Sequence, residues 1–429
     1  MKKLLLSIFA SFALVHNLDA QEKVYVCQGY EYDAIEIESL GDMTFSADNS
    51  IIYIGEEDYE ISDIDSITFG EPQFPKVEII YNGNTASVKI PSSFKGVTSS
   101  VSGANVTINS TTSTEDYLYS VSGASENGSL LINGDYKLSI ELAGLALTSS
   151  KGPAIDIQCG KRIAVYLKEG TVNTLTDGKG GTHKGAFNTE GHPEFEGGGT
   201  LNVTGNTKHA ICAKEYLQFK KSTGHINILG AVSDGIHCGK GKQNDDNSHF
   251  KMNGGIITVN NVGSDCIDAD DYGCMFINGG TLNLNVTTSD GVGLKCDSII
   301  RMTGGEININ VKGTISEGIR TSYAAYFDGG TIKIDAVGNG TKGLRAKKCT
   351  KTTDPVKNGG YIYLNGTDLE INVSGSTYTA DGTKCVGMRV DKDYTQTAGN
   401  VEINVLSNDA TGLDIRGEKN ITGGTLKPE

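Results

Sequence analysis

The sequence predicts an all-β protein whose main body is a single-stranded parallel β-helix, a solenoid of about 25 residues per turn, preceded by a small β-rich module. Three observations predict it. Glycine pairs recur at Gly254-Gly255, Gly279-Gly280, Gly304-Gly305 and Gly329-Gly330, 25 residues apart each time, and a fixed period in that range is the mark of a solenoid. Strict alternation follows each pair, as in Thr281-Leu282-Asn283-Leu284-Asn285-Val286 and Glu306-Ile307-Asn308-Ile309-Asn310-Val311. Period two with β-branched residues means strand. No amphipathic stretch of helical period competes, which argues against leucine-rich horseshoes and βαβ folds.

The chain begins with Lys2 and Lys3, then an apolar run from Leu4 to Val15 ending near Leu18-Asp19-Ala20. This reads as a secretory signal over residues 1–20. No cysteine stands at the cleavage point, and no later segment is long and apolar enough to span a bilayer. The expected location is periplasmic, cell-surface or extracellular. Residues 21–75 form a separate acidic, glycine-poor module. It ends in Tyr59-Glu60-Ile61-Ser62-Asp63-Ile64-Asp65-Ser66-Ile67-Thr68-Phe69 and a linker, Glu71-Pro72-Gln73-Phe74-Pro75. Residues 76–429 form the β-helix. Val106-Thr107-Ile108, Leu138-Ser139-Ile140-Glu141-Leu142 and Ile163-Ala164-Val165-Tyr166-Leu167 read as early, irregular turns. Gly198-Gly199 and Gly224 extend the glycine series backwards, and Gly399 and Gly423-Gly424 extend it forwards. Longer steps locate insertions near Gly239 to Asp246, Cys349 to Asn358 and Ser374 to Asp381. Such loops often edge a binding face.

Composition narrows the function. The chain has 429 residues with a net charge of −15, which argues against a nucleic-acid partner. There are 56 glycines but only 7 prolines, so the glycine does not signal a disordered chain. The absence of tryptophan excludes a sugar platform of stacked indoles. Nine cysteines are an odd number, and most read as small buried apolar residues rather than a disulfide framework. The histidines show no zinc-like spacing, and no phosphate-loop or nucleophile-elbow motif appears.

About nine residues past the glycines lies a second signature: Ser233-Asp234-Gly235-Ile236, Ser264-Asp265-Cys266-Ile267, Ser289-Asp290-Gly291-Val292 and Ser316-Glu317-Gly318-Ile319. Aligned by it, Asp234, Asp265, Asp290 and Glu317 stack along one edge. Like charges about 4.8 Å apart repel by roughly 1 kcal/mol in water-like surroundings and 3–4 kcal/mol at an effective dielectric of 20. Bound calcium, which gathers carboxylate oxygens, is the counter-ion this arrangement suggests. The densest cluster is Asp265-Cys266-Ile267-Asp268-Ala269-Asp270-Asp271, so the candidate calcium ligands are Asp234, Asp265, Asp268, Asp270 and Asp290. The alternative is an exposed corner with its acids fanned into water. A second column, His237, Asp268, Lys295, Arg320, Arg345, Arg389 and Asp414, should point outward. Its cationic middle suits an anionic sugar polymer, with Arg in a bidentate fork on carboxylate. The candidate ligand-binding residues are His237, Lys295, Arg320 and Arg345. The alternative is a solvated face that balances the neighbouring acids. Asn283, Asn285, Asn308 and Asn310 read as stacking ladders, and Cys238 and Cys296 as core filler.

The runs Gly152-Pro153-Ala154-Ile155, Val165-Tyr166-Leu167-Lys168-Glu169-Gly170-Thr171-Val172-Asn173-Thr174-Leu175-Thr176-Asp177-Gly178, Lys184-Gly185-Ala186-Phe187 and Gly197-Gly198-Gly199-Thr200-Leu201-Asn202-Val203 carry a family likeness. Over residues 95–429 the chain resembles the bacterial carbohydrate-binding β-helix proteins first described in cellulolytic clostridia, similar in fold to the family-nine pectate lyases. Residues 21–70 lie outside that likeness and resemble short N-terminal segments of surface proteins in gut Bacteroidetes. The β-helix resemblance implies a right-handed parallel β-helix with bound calcium that binds acidic plant polysaccharide such as polygalacturonate, and also cellulose. Three functions are then open. The first is a monomeric, non-catalytic binding protein for acidic polysaccharide. The second is a calcium-dependent lyase with Lys295 as its base, although Cys266 stands where the acid signature wants glycine. The third is a structural or adhesin role.

Overall fold

A computed structural model describes residues 23–28, 30–70, 72, 74–239, 249–270, 273–348 and 358–428. The signal segment, Asp271 and the insertions at residues 240–248 and 349–357 lie outside the described residues. The chain divides into two compact units between Phe74 and Pro75.

The first unit is built from two small antiparallel sheets. Strand Lys23–Gln28 pairs with Glu31–Glu36 and with Ser66–Thr68. Strand Ile51–Ile54 pairs with Thr44–Phe45 and with Glu57–Glu60. The unit has a core of its own around Val26, Ile52, Ile54 and Tyr59.

The second unit is a stack of parallel strands of the β-solenoid type. In Thr281–Val286 the residues Leu282, Leu284 and Val286 are buried, and Thr281, Asn283 and Asn285 face outward, half-buried. The strand pairs in parallel register with Glu306–Val311, Leu282 beside Ile307 and Leu284 beside Ile309. That strand pairs with Thr331–Ala336 in the same register. The polar face is satisfied turn by turn: Asn308 Nδ2 donates to Asn283 Oδ1 (3.2 Å) and Asn285 Nδ2 to Asn260 Oδ1 (2.8 Å). Asn283, Asn285 and Asn308 therefore take part in the expected ladders, while Asn310 Oδ1 is buried without a hydrogen-bond partner. Inside, Phe187, Phe195, Phe219 and Phe250 follow one another with centroids 5.4, 5.1 and 5.7 Å apart. All four are fully buried.

The glycine pairs have a steric cause. Gly280, Gly305 and Gly330 hold φ of +83°, +89° and +83°, a region that suits glycine. A Cβ on each would lie 2.6–2.7 Å from the carbonyl oxygen of the equivalent glycine one turn earlier. The repeat is thus a glycine ladder, and each member makes room for the next. Where turns lengthen, the flanking strands keep their register. Ile226 pairs with Ile257, Ile332 with Leu369 and Leu369 with Val401, which spans the three expected insertions.

One feature of the early turns is not periodic. Lys76–Asn82 and Thr85–Lys89, and then Val97–Ser102 and Asn105–Ser110, form antiparallel hairpins at the start of the parallel sheets. The strand containing Val106-Thr107-Ile108 therefore meets a hairpin partner on one side and a parallel turn, Ser129–Gly134, on the other. Among the described residues all eight cysteines are free thiols, and Cys238 and Cys296 share the inward column of Ala269 and Thr321.

Candidate functional site: a charged column on successive turns

The site grows from short strands whose middle residue is a buried aliphatic: Ile236, Ile267, Leu294, Ile319, Leu344 and Met388 lie one above another. The residue after each points away from the core. It forms the column His237, Asp268, Lys295, Arg320, Arg345 and Arg389, continued by Asp414 after the half-buried Leu413, in register as the sequence predicts.

The neighbouring acidic column differs from expectation. Leu294 pairs with Ile267, so the residue level with Asp265 is Val292 and not Asp290. The turn between them is two residues longer than the turn that follows, and the Ser-Asp-Gly signature slides with the extra length. Asp290 sits exposed at a corner with φ of +60°. The column therefore runs His209, Asp234, Asp265, Val292, Glu317, Lys342. Only Asp234 and Asp265 are like-charged neighbours in it. Asp270 lies half-buried beyond the strand Ile267–Ala269, apart from the carboxylates that converge.

Three of the five proposed metal ligands do converge: Asp234, Asp265 and Asp268 each bring an oxygen within 4.8 Å of the others. All three are buried. The chain supplies its own counter-charges. Lys295 Nζ lies 3.0 Å from Asp265 Oδ2 and 3.2 Å from Asp268 Oδ2. His237 Nδ1 lies 3.3 Å from Asp234 Oδ2 and 3.5 Å from Asp268 Oδ2, and His209 Nδ1 lies 3.1 Å from Asp234 Oδ2. Backbone groups complete the set: Asp265 N–H donates to Asp234 Oδ1 (3.2 Å) and Val292 N–H to Asp265 Oδ1 (2.9 Å).

The electrostatics follow from these contacts. Burial would raise Asp234, but the imidazoles of His209 and His237 outweigh it and hold the carboxyl well below the usual range. Asp265 goes the other way: burial raises it to about 6, with Lys295 only partly offsetting this. Burial would lower His237, yet Asp234 and Asp268 lift it to about 9. Burial also opposes the charge on Lys295, and Asp268 and Asp265 overcome it and raise the ammonium above its ordinary value. His209 is lowered by burial.

Calcium binds six to eight oxygens. This cluster offers three converging carboxylates, with an ammonium and an imidazole already among them. As arranged, the donors do not fit a calcium shell, and the repulsion inferred from the sequence is answered by Lys295 and His237.

Above this cluster, Glu317 is buried beside Arg345 (2.8 Å) and Arg320 (3.6 Å). Arg389 faces Asp391 (3.3 Å) and Asp414 (3.6 Å). Sequence reading missed His209, which is fully buried beneath Asp234. Its signal was available: one 25-residue step back from Asp234 lands on it, although its turn lacks the acidic signature.

Fold and site define a parallel β-solenoid with a charged column along one face. The chain belongs to the family of carbohydrate-binding domain-containing proteins, whose model matches residues 102–383. A solved structure of the polysaccharide lyase-like protein from C. thermocellum, a gadolinium derivative, aligns with 82% of this chain and 100% of that one. The identity is 17% and the TM-score 0.38. No curated protein matches the sequence.

Proposed function

We propose that the protein is an exported, monomeric, non-catalytic receptor for acidic polysaccharide of the polygalacturonate type, carried on a right-handed β-helix. Membership of a carbohydrate-binding family supports the ligand class. The observation that supports an acidic ligand is the run Lys295, Arg320, Arg345 and Arg389, four cations on four successive turns of one outward face. Their side chains keep 23%, 22%, 19% and 21% of their exposure, so each presents an edge to solvent while its charge is partly balanced from below. A polymer with one carboxylate per sugar can meet such a row repeatedly. Of the four, Arg320 has the longest contact to its internal partner, Glu317, which leaves its fork freest for a uronate.

Affinity electrophoresis through gels containing polygalacturonate tests the reading. Wild-type protein is expected to be retarded, and Arg320→Ala to bind about tenfold more weakly, the loss of one charged hydrogen-bonding group. Equal mobility with and without the polymer would remove the proposal.

The same material tests two linked points. Lys295 is held as an ammonium between two aspartates, and a general base needs a free amine. No unsaturated uronide should therefore accumulate, and a rising ultraviolet absorbance lost in Lys295→Ala would favour the lyase instead. Calcium remains part of the proposal only as an ion bridging uronates to the protein's accessible acids. Retention that falls on adding a chelator keeps it there, and unchanged retention removes it.

A further inference from the structure

Nine buried side-chain nitrogen and oxygen atoms among the described residues have no hydrogen-bond partner. Four of them belong to one cluster: both ring nitrogens of His209, Nδ1 of His237 and Oδ1 of Asp268. Buried polar groups are almost always satisfied, and a local concentration of exceptions points to a missing ion, water or proton. His209 is the strongest case, because it is completely buried and its Nδ1 stands 3.1 Å from Asp234 Oδ2 without the angle of a hydrogen bond.

We propose that His209, Asp234 and His237 form a site for a divalent first-row transition ion of the zinc type, with the fourth position left to water. The three residues each offer a donor atom within 4.8 Å of the others. Asp234 Oδ2 lies 3.1 and 3.3 Å from the two Nδ1 atoms. Ligands bonded to zinc at about 2.0–2.1 Å in a tetrahedron stand about 3.3–3.5 Å from one another, so these spacings suit a shared ion. Two imidazoles and a carboxylate select a borderline transition ion over calcium, which prefers oxygen alone. Lys295 does not compete for this position. It contacts Asp265 and Asp268 from the next turn, away from His209.

The two rings lie nearly parallel, 10° apart with centroids separated by 4.3 Å. One of them has to rotate to aim its lone pair at a common ion. His237 is the one with room, since 17% of its side chain is exposed while that of His209 is sealed. His237 is therefore the gate through which the ion enters.

The test uses the untagged full chain, stripped with a chelator and titrated calorimetrically with Zn²⁺ and, separately, Ca²⁺. One Zn²⁺ per chain is expected, undiminished by excess Ca²⁺. Co²⁺ substituted for Zn²⁺ should give the intense visible absorption of a tetrahedral site. His237→Gln, at the partly exposed position, should lower Zn²⁺ affinity by more than about 100-fold, beyond the loss typical of a supporting group. Circular dichroism should show that variant folded as wild type, and His209→Ala serves as the buried counterpart. Absence of Zn²⁺ binding to wild type overturns the proposal and assigns the orphaned atoms to a proton or water. Binding that survives His237→Gln unchanged, or that Ca²⁺ displaces, overturns it equally. None of these outcomes depends on whether the protein retains a polysaccharide.

Discussion

Glu317→Ala is expected to lower the stability of the β-helical unit by about 3–5 kcal/mol, the cost of removing one partner from a buried charge set. Glu317 is almost completely buried, with Arg345 at 2.8 Å and Arg320 at 3.6 Å. Lys342 stands directly above it in the same column and is also buried. Burial lowers the ammonium of Lys342 despite the nearby Glu317, a sign of how little else compensates it. Without the carboxylate, three cations on two successive turns face one another across a strand spacing. The two arginines keep about a fifth of their exposure, so solvent screens part of the repulsion and the lower end of the range applies if they swing outward. Glu317→Gln separates charge from packing, since it keeps the shape but removes the charge, and should retain more than half of the loss caused by Ala. Adding Lys342→Met to Glu317→Ala should recover part of that loss. The denaturation midpoint in urea reads all three, and a shift in Glu317→Ala equivalent to less than about 1 kcal/mol, as for an exposed pair, would show that the acid is no pivot.

Gly305→Ala is expected to cost about 2–3 kcal/mol, although it adds a single methyl group. The residue holds φ of +89°, a strained conformation for any residue with a Cβ. The new atom would stand 2.7 Å from Gly280 O and 2.9 Å from Gly279 C. Both contacts are with backbone, which cannot turn aside as a side chain can, so overpacking adds to the dihedral strain. Gly304→Ala is the informative comparison. Gly304 is not among the glycines of positive φ, yet its added Cβ would meet Asn278 O at 2.8 Å. It should be the milder change, because crowding acts there without dihedral strain. Thermal unfolding of the two variants separates the contributions, and a Gly305→Ala protein as stable as wild type would contradict the steric account of the glycine ladder.

The repeat was legible in the sequence because its cause is local and recurrent. A glycine that must admit the carbonyl of the turn below leaves a mark every 25 residues, and inward Leu282, Leu284 and Val286 leave a mark every two. The outward column from His237 to Asp414 was legible for the same reason, since each member follows an inward aliphatic. The acidic column was only half legible. Its motif, Ser-Asp-Gly, belongs to a corner, and corners absorb changes of turn length. The turn ahead of Val292 is longer, so Asp290 carries the motif without occupying the position. His209 occupies the position without the motif. Reach across columns left no mark at all. That Lys295 turns toward Asp265 and Asp268, and His237 toward Asp234, depends on side-chain lengths and rotamers set by burial, not on spacing along the chain. This is why pooled negative charge seemed to demand calcium where Lys295 and His237 stand among the carboxylates. The antiparallel hairpins at the start of the solenoid were hidden for a related reason: an alternating strand reads the same whichever direction its partner runs.

The most direct test of the account compares binding to polygalacturonate and to its fully methyl-esterified form at two salt concentrations. The account predicts that the charged polymer binds more tightly, that the preference shrinks as salt rises, and that Arg320→Ala removes most of it. Equal affinity for both polymers at low salt, unchanged in Arg320→Ala, would contradict recognition of an acidic chain by the cationic column.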